Sequence, residues 1–202
     1  MSQTKAQLID AVDGSIVDAD IAGLTSSKLS GALPAISGAS LTNLPASGIS
    51  ETDLWRVTSS FDSSQTNPIT SNWERHDTHG PGLIGTGMSE SSGTFTFPST
   101  GVWRIDFNVT AYRISATQVR FINQYILATT DDSNYGEAAY ATGSLSNDTE
   151  PFHTAHCSLI FDVTNVSTHK IRFYVQAEHQ LRWYANTNSN FIYAIFTRLG
   201  DT

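Results

Sequence analysis

The sequence predicts an all-β protein: a β-sandwich or jelly roll over residues 55–202, preceded by an extended segment over residues 1–54. Three observations carry this. The aromatic residues (ten Phe, seven Tyr and four Trp) all lie at or after Trp55, so residues 1–54 hold none of the large side chains that dominate a core. From residue 55 onward, short runs of β-branched and aromatic residues alternate with Gly, Ser, Asn, Asp and Pro breaks. Two of those runs alternate with period two. Trp103, Ile105, Phe107 and Val109 oppose Val102, Arg104, Asp106 and Asn108, and Ile171, Phe173 and Val175 oppose Arg172, Tyr174 and Gln176. One apolar and one mixed face is the pattern of an antiparallel sheet with a solvated outer side.

The first segment cannot fold alone. Of its first 50 residues, thirty are Gly, Ala, Ser, Thr, Asp or Asn. The apolar remainder is small and evenly spread, from Leu8, Ile9 and Val12 through Leu24, Leu33 and Leu41 to Ile49. Burying these side chains within one chain does not offset about 1–2 kcal/mol of backbone entropy per residue. Their recurrence every three to five positions predicts an extended stalk wound with identical copies. A short helix fits Gln3–Val12, and Gly and Pro exclude a long coiled coil beyond it. Glycine does not recur at every third position, which excludes collagen. Lys28–Pro34 and Ala39–Pro45 each close on Leu-Pro, a degenerate repeat. Fifty extended residues span at most about 165–180 Å.

In the second segment the clearest predicted strands are Thr94–Phe97, Val102–Tyr112, Gln118–Thr129, Ala155–Val163, Lys170–Glu178 and Asn190–Leu199. Weaker ones are Arg56–Phe61, Pro68–Trp73, Leu83–Ile84 and Glu137–Thr142. About ten strands in such a length fit a sandwich or jelly roll.

Composition narrows function. Charged residues are 15% of the chain, against roughly 25% in an average soluble protein. Eleven basic against 19 acidic residues give a net charge of −8, and the basic residues are scattered singly. A nucleic-acid-binding face is therefore not expected. No apolar run reaches the length of a transmembrane helix, and the N-terminal residues have no secretory pattern. Cys157 is the sole cysteine, which excludes an internal disulfide and reads as a small core residue.

Candidate chemistry is sparse. His153 and His156 lie near Cys157, but residues three apart on a strand face opposite ways, so no metal site is expected unless three copies meet on an axis. Residues 73–79 hold His76, His79, Glu74 and Asp77 beside a Gly-Pro-Gly turn. They read as a surface loop, or as one that touches a glycan. Trp183 and Tyr184, followed by Asn186, Asn188 and Asn190, read as an aromatic–amide loop ahead of the last strand. Such rings stack on sugars or on partner proteins. Glu74, Asp77 and Glu90 are the carboxylates available for glycoside cleavage, with no spacing that selects a pair. Asp131 and Asp132 lie in a loop without the spacing of a calcium-binding hand. No nucleotide, nucleophile-elbow or zinc-protease motif is present. No cofactor is expected.

The run Ser92–Phe107, with Phe97-Pro-Ser-Thr-Gly-Val-Trp103 at its centre, resembles a motif of the tumour-necrosis-factor/complement-C1q jelly roll. There a strand ends in Phe-x-x-Pro-x-x-Gly-Tyr and runs into a long strand of alternating aromatics. Trp103 stands where Tyr is usual. Phe191–Leu199 resembles the closing core strand of the same family. The resemblance implies a homotrimer packed about a threefold axis through an aromatic-rich face.

The phrases DGSIVDADIAGLTSSKLSGALP and GASLTNLPASG resemble the stalks of tail fibres and related virion appendages of tailed bacteriophages. What this implies is a non-enzymatic, homotrimeric virion structural protein, assembled in the host cytoplasm. It would be anchored to other virion proteins through its N-terminus, with Lys5, Leu8, Ile9 and Val12 as anchoring candidates. Its jelly-roll head would attach to the host surface, with a glycan as the expected ligand and Trp183, Tyr184, Asn186, His76 and His79 as the receptor-binding candidates. The same fold also suits a capsid decoration or head fibre that stabilises the shell. A polysaccharide depolymerase is the remaining alternative. Neither nucleic acid nor membrane is expected as a partner.

Overall fold

The computed structural model describes residues 48–80, 82–115, 117–145 and 151–202. The stalk reading, the Gln3–Val12 helix and the anchoring candidates Lys5, Leu8, Ile9 and Val12 lie outside the described residues, as does Pro81. Ala46–Thr202 forms one compact unit.

The described residues contain strands and turns and no helix. Twelve strands follow one another: β1 Thr52–Val57, β2 Ser59–Thr66, β3 Trp73–Arg75, β4 Leu83–Ile84, β5 Ser89–Ser91, β6 Thr94–Thr96, β7 Gly101–Arg113, β8 Ile122–Thr129, β9 Gly136–Gly143, β10 Phe152–Val163, β11 Lys170–Asn186 and β12 Tyr193–Gly200. All pairings are antiparallel. One layer runs β3-β1-β12-β7-β10. The other runs β5-β6-β11-β8-β9. β4 pairs with β1 in the first layer and β2 with β11 in the second, and the two layers closed over one core make a jelly roll.

The alternation read from sequence fixes the register. On β7, Trp103, Ile105, Phe107, Val109 and Ala111 are buried, while Arg104 is exposed and Asp106, Asn108 and Tyr112 are half-buried on the outer face. Across the core, Phe107 stacks on Phe173 of β11 at 4.5 Å and 29°. Phe95, Phe196 and Trp73 close round that pair through ring contacts of 5.2–5.9 Å. Rings at these separations add about 0.5–1.5 kcal/mol each beyond their buried area.

Several predicted boundaries move. The expected strand Arg56–Phe61 is two strands, because the chain turns at Thr58, and β1 reaches back to Thr52. Its first half pairs with β12 although it holds no aromatic residue, so the sheet begins ahead of residue 55. Pro68–Trp73 is a loop that ends where β3 begins, since Ile69 plugs the core instead of continuing a ladder. β8 starts at Ile122 rather than Gln118, and β12 at Tyr193 rather than Asn190.

The largest correction is β11, which continues past Glu178 to Asn186. A bulge places six residues of β11 (Gln176 to Leu181) against three of β2 (Gln65 to Ser63). Before it β11 pairs with β8; after it Leu181–Trp183 pair with β7. One strand thereby passes from one layer to the other. Trp183 and Tyr184 are strand residues, not the loop that the amides beside them suggest.

The chain enters and leaves the fold side by side. Thr52 stands opposite Thr197, and the Arg198 amide donates to the Glu51 carbonyl at 3.0 Å.

Candidate functional site

Arg56 alternates with Leu54 on the outer side of β1, where an arginine would ordinarily reach solvent. It is fully buried instead, because two loops fold over it. The β3–β4 loop is held there by the His76 amide on the Leu54 carbonyl at 2.9 Å. The Arg56 guanidinium then organises both loops. Its Nε donates to Glu74 Oε1 at 2.8 Å, one Nη to His76 Nδ1 at 3.0 Å, and the other to Asp77 Oδ1 and Thr78 Oγ1 at 2.8 and 2.9 Å. The β11–β12 loop joins through Thr187 Oγ1, which donates to Glu74 Oε1 at 2.9 Å, and Asn190 Oδ1 lies 3.2 Å from His76 Nδ1.

The two loops singled out in the sequence are thus one polar cluster. Sequence reasoning missed the residue that joins them. A single arginine ahead of a segment as acidic and histidine-rich as residues 74–79 was the available signal. An arginine only donates, so in its contact with Arg56 the His76 Nδ1 accepts. Glu74 and Asp77 both grip the same guanidinium, and Glu90 caps a hairpin through the Gly93 amide at 2.6 Å. The carboxylates considered for glycoside cleavage are therefore not gathered into a pair with a free acid and a free base. The Arg56 donors are committed to the fold, so this cluster shapes a surface rather than presenting a cation to a ligand.

The remaining receptor-binding candidates separate. Trp183 is fully buried, with Nε1 donating to the Ser63 carbonyl at 3.0 Å, so it cannot touch a ligand on this surface. Its neighbour on the strand necessarily faces the other way. Tyr184 lies on the outer face and meets Phe191 at 4.4 Å, Tyr112 at 5.9 Å and Phe152 at 6.2 Å. Phe152 is 64% exposed. Asn186 closes the turn after β11, its Oδ1 accepting from the Asn188 amide at 2.6 Å. His79 is exposed with a left-handed φ of 65°. The structure brings His76 together with Asn190, and Tyr184 together with an aromatic face, but it does not bring Trp183 to either.

His153 and His156 face opposite sides of β10, as their spacing requires. His156 Nε2 lies 3.1 Å from Asp106 on the outer face. His153 packs inward over Gly143, and burial lowers its pKa. Cys157 is buried beside the Gln124 carbonyl, and burial pushes its thiol up to about 12. Among the described residues, no three His, Cys, Asp or Glu side chains converge as metal ligands. Asp131 is occupied by its own loop. It accepts from the Ser133 and Asn134 amides, the Asn134 side chain and Thr129 Oγ1 at 2.7–2.9 Å, which holds its carboxyl well below the usual range.

No protein-family model matches the chain, and no curated protein matches it. Solved structures do. A crystal structure of murine APRIL at pH 5.0 aligns with a TM-score of 0.55 at 10% identity, covering 74% of this chain and 98% of that one. Structures of the same protein at pH 8.5 and pH 8.0 align at 0.53 and 0.51, with 10% and 12% identity and the same coverage. At such identity the likeness is one of fold: an all-β jelly roll of the tumour-necrosis-factor type.

Proposed function

We propose that this chain is a homotrimeric, non-enzymatic structural protein of a tailed-bacteriophage virion. Its first residues anchor it to the particle, and its jelly-roll head attaches to a host-surface glycan. The observation that carries the proposal is the outer aromatic face of Tyr112, Phe152, Tyr184 and Phe191, which the folded protomer leaves partly uncovered. Four clustered rings are costly to leave in water, and a second copy of the chain supplies a matching surface. The fold type and the stalk-like N-terminal sequence both support assembly about a threefold axis. The phage assignment is supported by the sequence of residues 13–48.

Light scattering after size exclusion tests the assembly. The full-length chain is expected to run at about three times 21.9 kDa. Phe152→Glu places a charge on the aromatic face at an exposed position and is expected to shift the population toward single chains. A wild-type protein that runs as a monomer overturns the reading. Antibody labelling of purified particles, followed by electron microscopy, separates a tail position from a capsid one.

A further inference from the structure

A cavity of about 190 Å³ lies between β2 and the loop that follows it, lined by Phe61, Thr66, Ile69, Thr70, Ser71 and Asn72. We propose that it is a binding site for a single neutral sugar ring. This rests on the glycan-attachment reading above and gives that reading a place, away from the residues the sequence suggested.

The lining supplies the chemistry of a pyranose. Phe61 offers an aromatic ring, half-buried and stacked on Trp183 with centroids 6.5 Å apart and planes at 26°. A sugar's apolar C–H face packs on such a ring. Thr70, Ser71 and Asn72 are exposed beside it and supply two hydroxyls and an amide. Among the described residues no protein hydrogen bond engages these three side chains, so their donors and acceptors remain for a ligand. None of the six lining residues is charged, which disfavours phosphate, uronate and metal ions. Sites for drug-sized ligands run roughly 300–1,000 Å³, so this one takes something smaller, of the size of one ring.

The loop is held in place from both sides. Ile69 is a 2% exposed plug whose amide donates to the Phe173 carbonyl at 2.8 Å and whose carbonyl accepts from Trp73 Nε1 at 2.9 Å. The Asn72 carbonyl accepts from the Thr58 amide at 2.8 Å, and Asn72 itself sits at a left-handed φ of 63°. The polar side chains are therefore presented on a fixed backbone, which removes an ordering cost from binding. Trp183 acts here as the support behind Phe61 rather than as a contact residue. A shallow site of this size binds weakly, and three linked heads would multiply it through avidity.

Saturation-transfer NMR on the full-length chain, with glucose, galactose, mannose and N-acetylglucosamine each offered at millimolar concentration, tests the site. At least one sugar is expected to receive saturation. The double variant Asn72→Gly with Ser71→Ala keeps the left-handed backbone, removes an amide and a hydroxyl, and should weaken binding roughly tenfold or more. Its thermal melt should match wild type, which separates lost binding from lost fold. Transfer to none of the four sugars overturns the proposal, as does a double variant that binds like wild type. A parallel pull-down on purified lipopolysaccharide and capsule tells the two readings apart. Wild type and variant adhering equally overturns the pocket and leaves attachment standing; wild type adhering to neither overturns both.

Discussion

Gln124 is wholly buried on β8, and neither its amide oxygen nor its amide nitrogen meets a hydrogen-bond partner. Burying such a group unpaired costs about 1–3 kcal/mol. Gln124→Met keeps the length of the side chain and removes both orphaned atoms. It is expected to raise the unfolding free energy by about 1–2 kcal/mol, read as a higher urea midpoint at unchanged slope. A lower midpoint would mean that ordered water already satisfies the amide. Arg56 shows the opposite arrangement. It is as buried as Gln124, yet its donors are matched by Glu74, His76, Asp77 and Thr78. The Arg56 environment was not legible in the sequence, because it depends on which distant loops fold over the strand; Gln124 instead shares the inward phase of Ile122 and Ile126 on β8. Cys157 was legible: a small side chain on the inward phase of an alternating strand has few other places to go.

At the scale of elements, alternation served where a strand keeps one partner on each side and failed where partners change. β7 was readable from Val102 to Tyr112 because its inward positions never leave the core. β11 read as ending at Glu178 because Glu178, His179 and Gln180 occupy its bulge, where the ladder with β2 is interrupted and polar residues cost little. The aromatic–amide loop was an artefact of that early ending. The seam between β9 and β10 carries a pH dependence. His153 packs over Gly143 with its Nε2 buried and unpartnered, and burial lowers its pKa from 6.5. The folded state then binds fewer protons than the unfolded chain, so the stability this site contributes is complete above 6.5 and is lost as pH falls toward the folded value. The urea midpoint is expected to drop between about pH 7.5 and about pH 5. His153→Gln should flatten that drop relative to wild type, and an identical pH profile in the two proteins would remove His153 as its source.

At the scale of the molecule, the fold class followed from aromatic distribution and period-two patterning, both properties of the whole chain. Which of Trp183 and Tyr184 faces the core did not follow, because strand polarity decides whether an aromatic residue is core or surface, and the two differ by one position. Assembly has a thermodynamic signature of its own. If folded chains are held in trimers, the melting temperature rises with protein concentration by mass action. Melts recorded at about tenfold steps of concentration should move upward together, and the Phe152→Glu variant should melt without concentration dependence. The pairing of Thr52 with Thr197 matters for anyone attaching cargo. A tag fused after Thr202 emerges beside β1, the strand by which the chain comes into the jelly roll. A peptide spliced into the turn at 187–189 would be carried at the opposite end of the β1–β12 ladder, away from that junction, so that turn is the better display position.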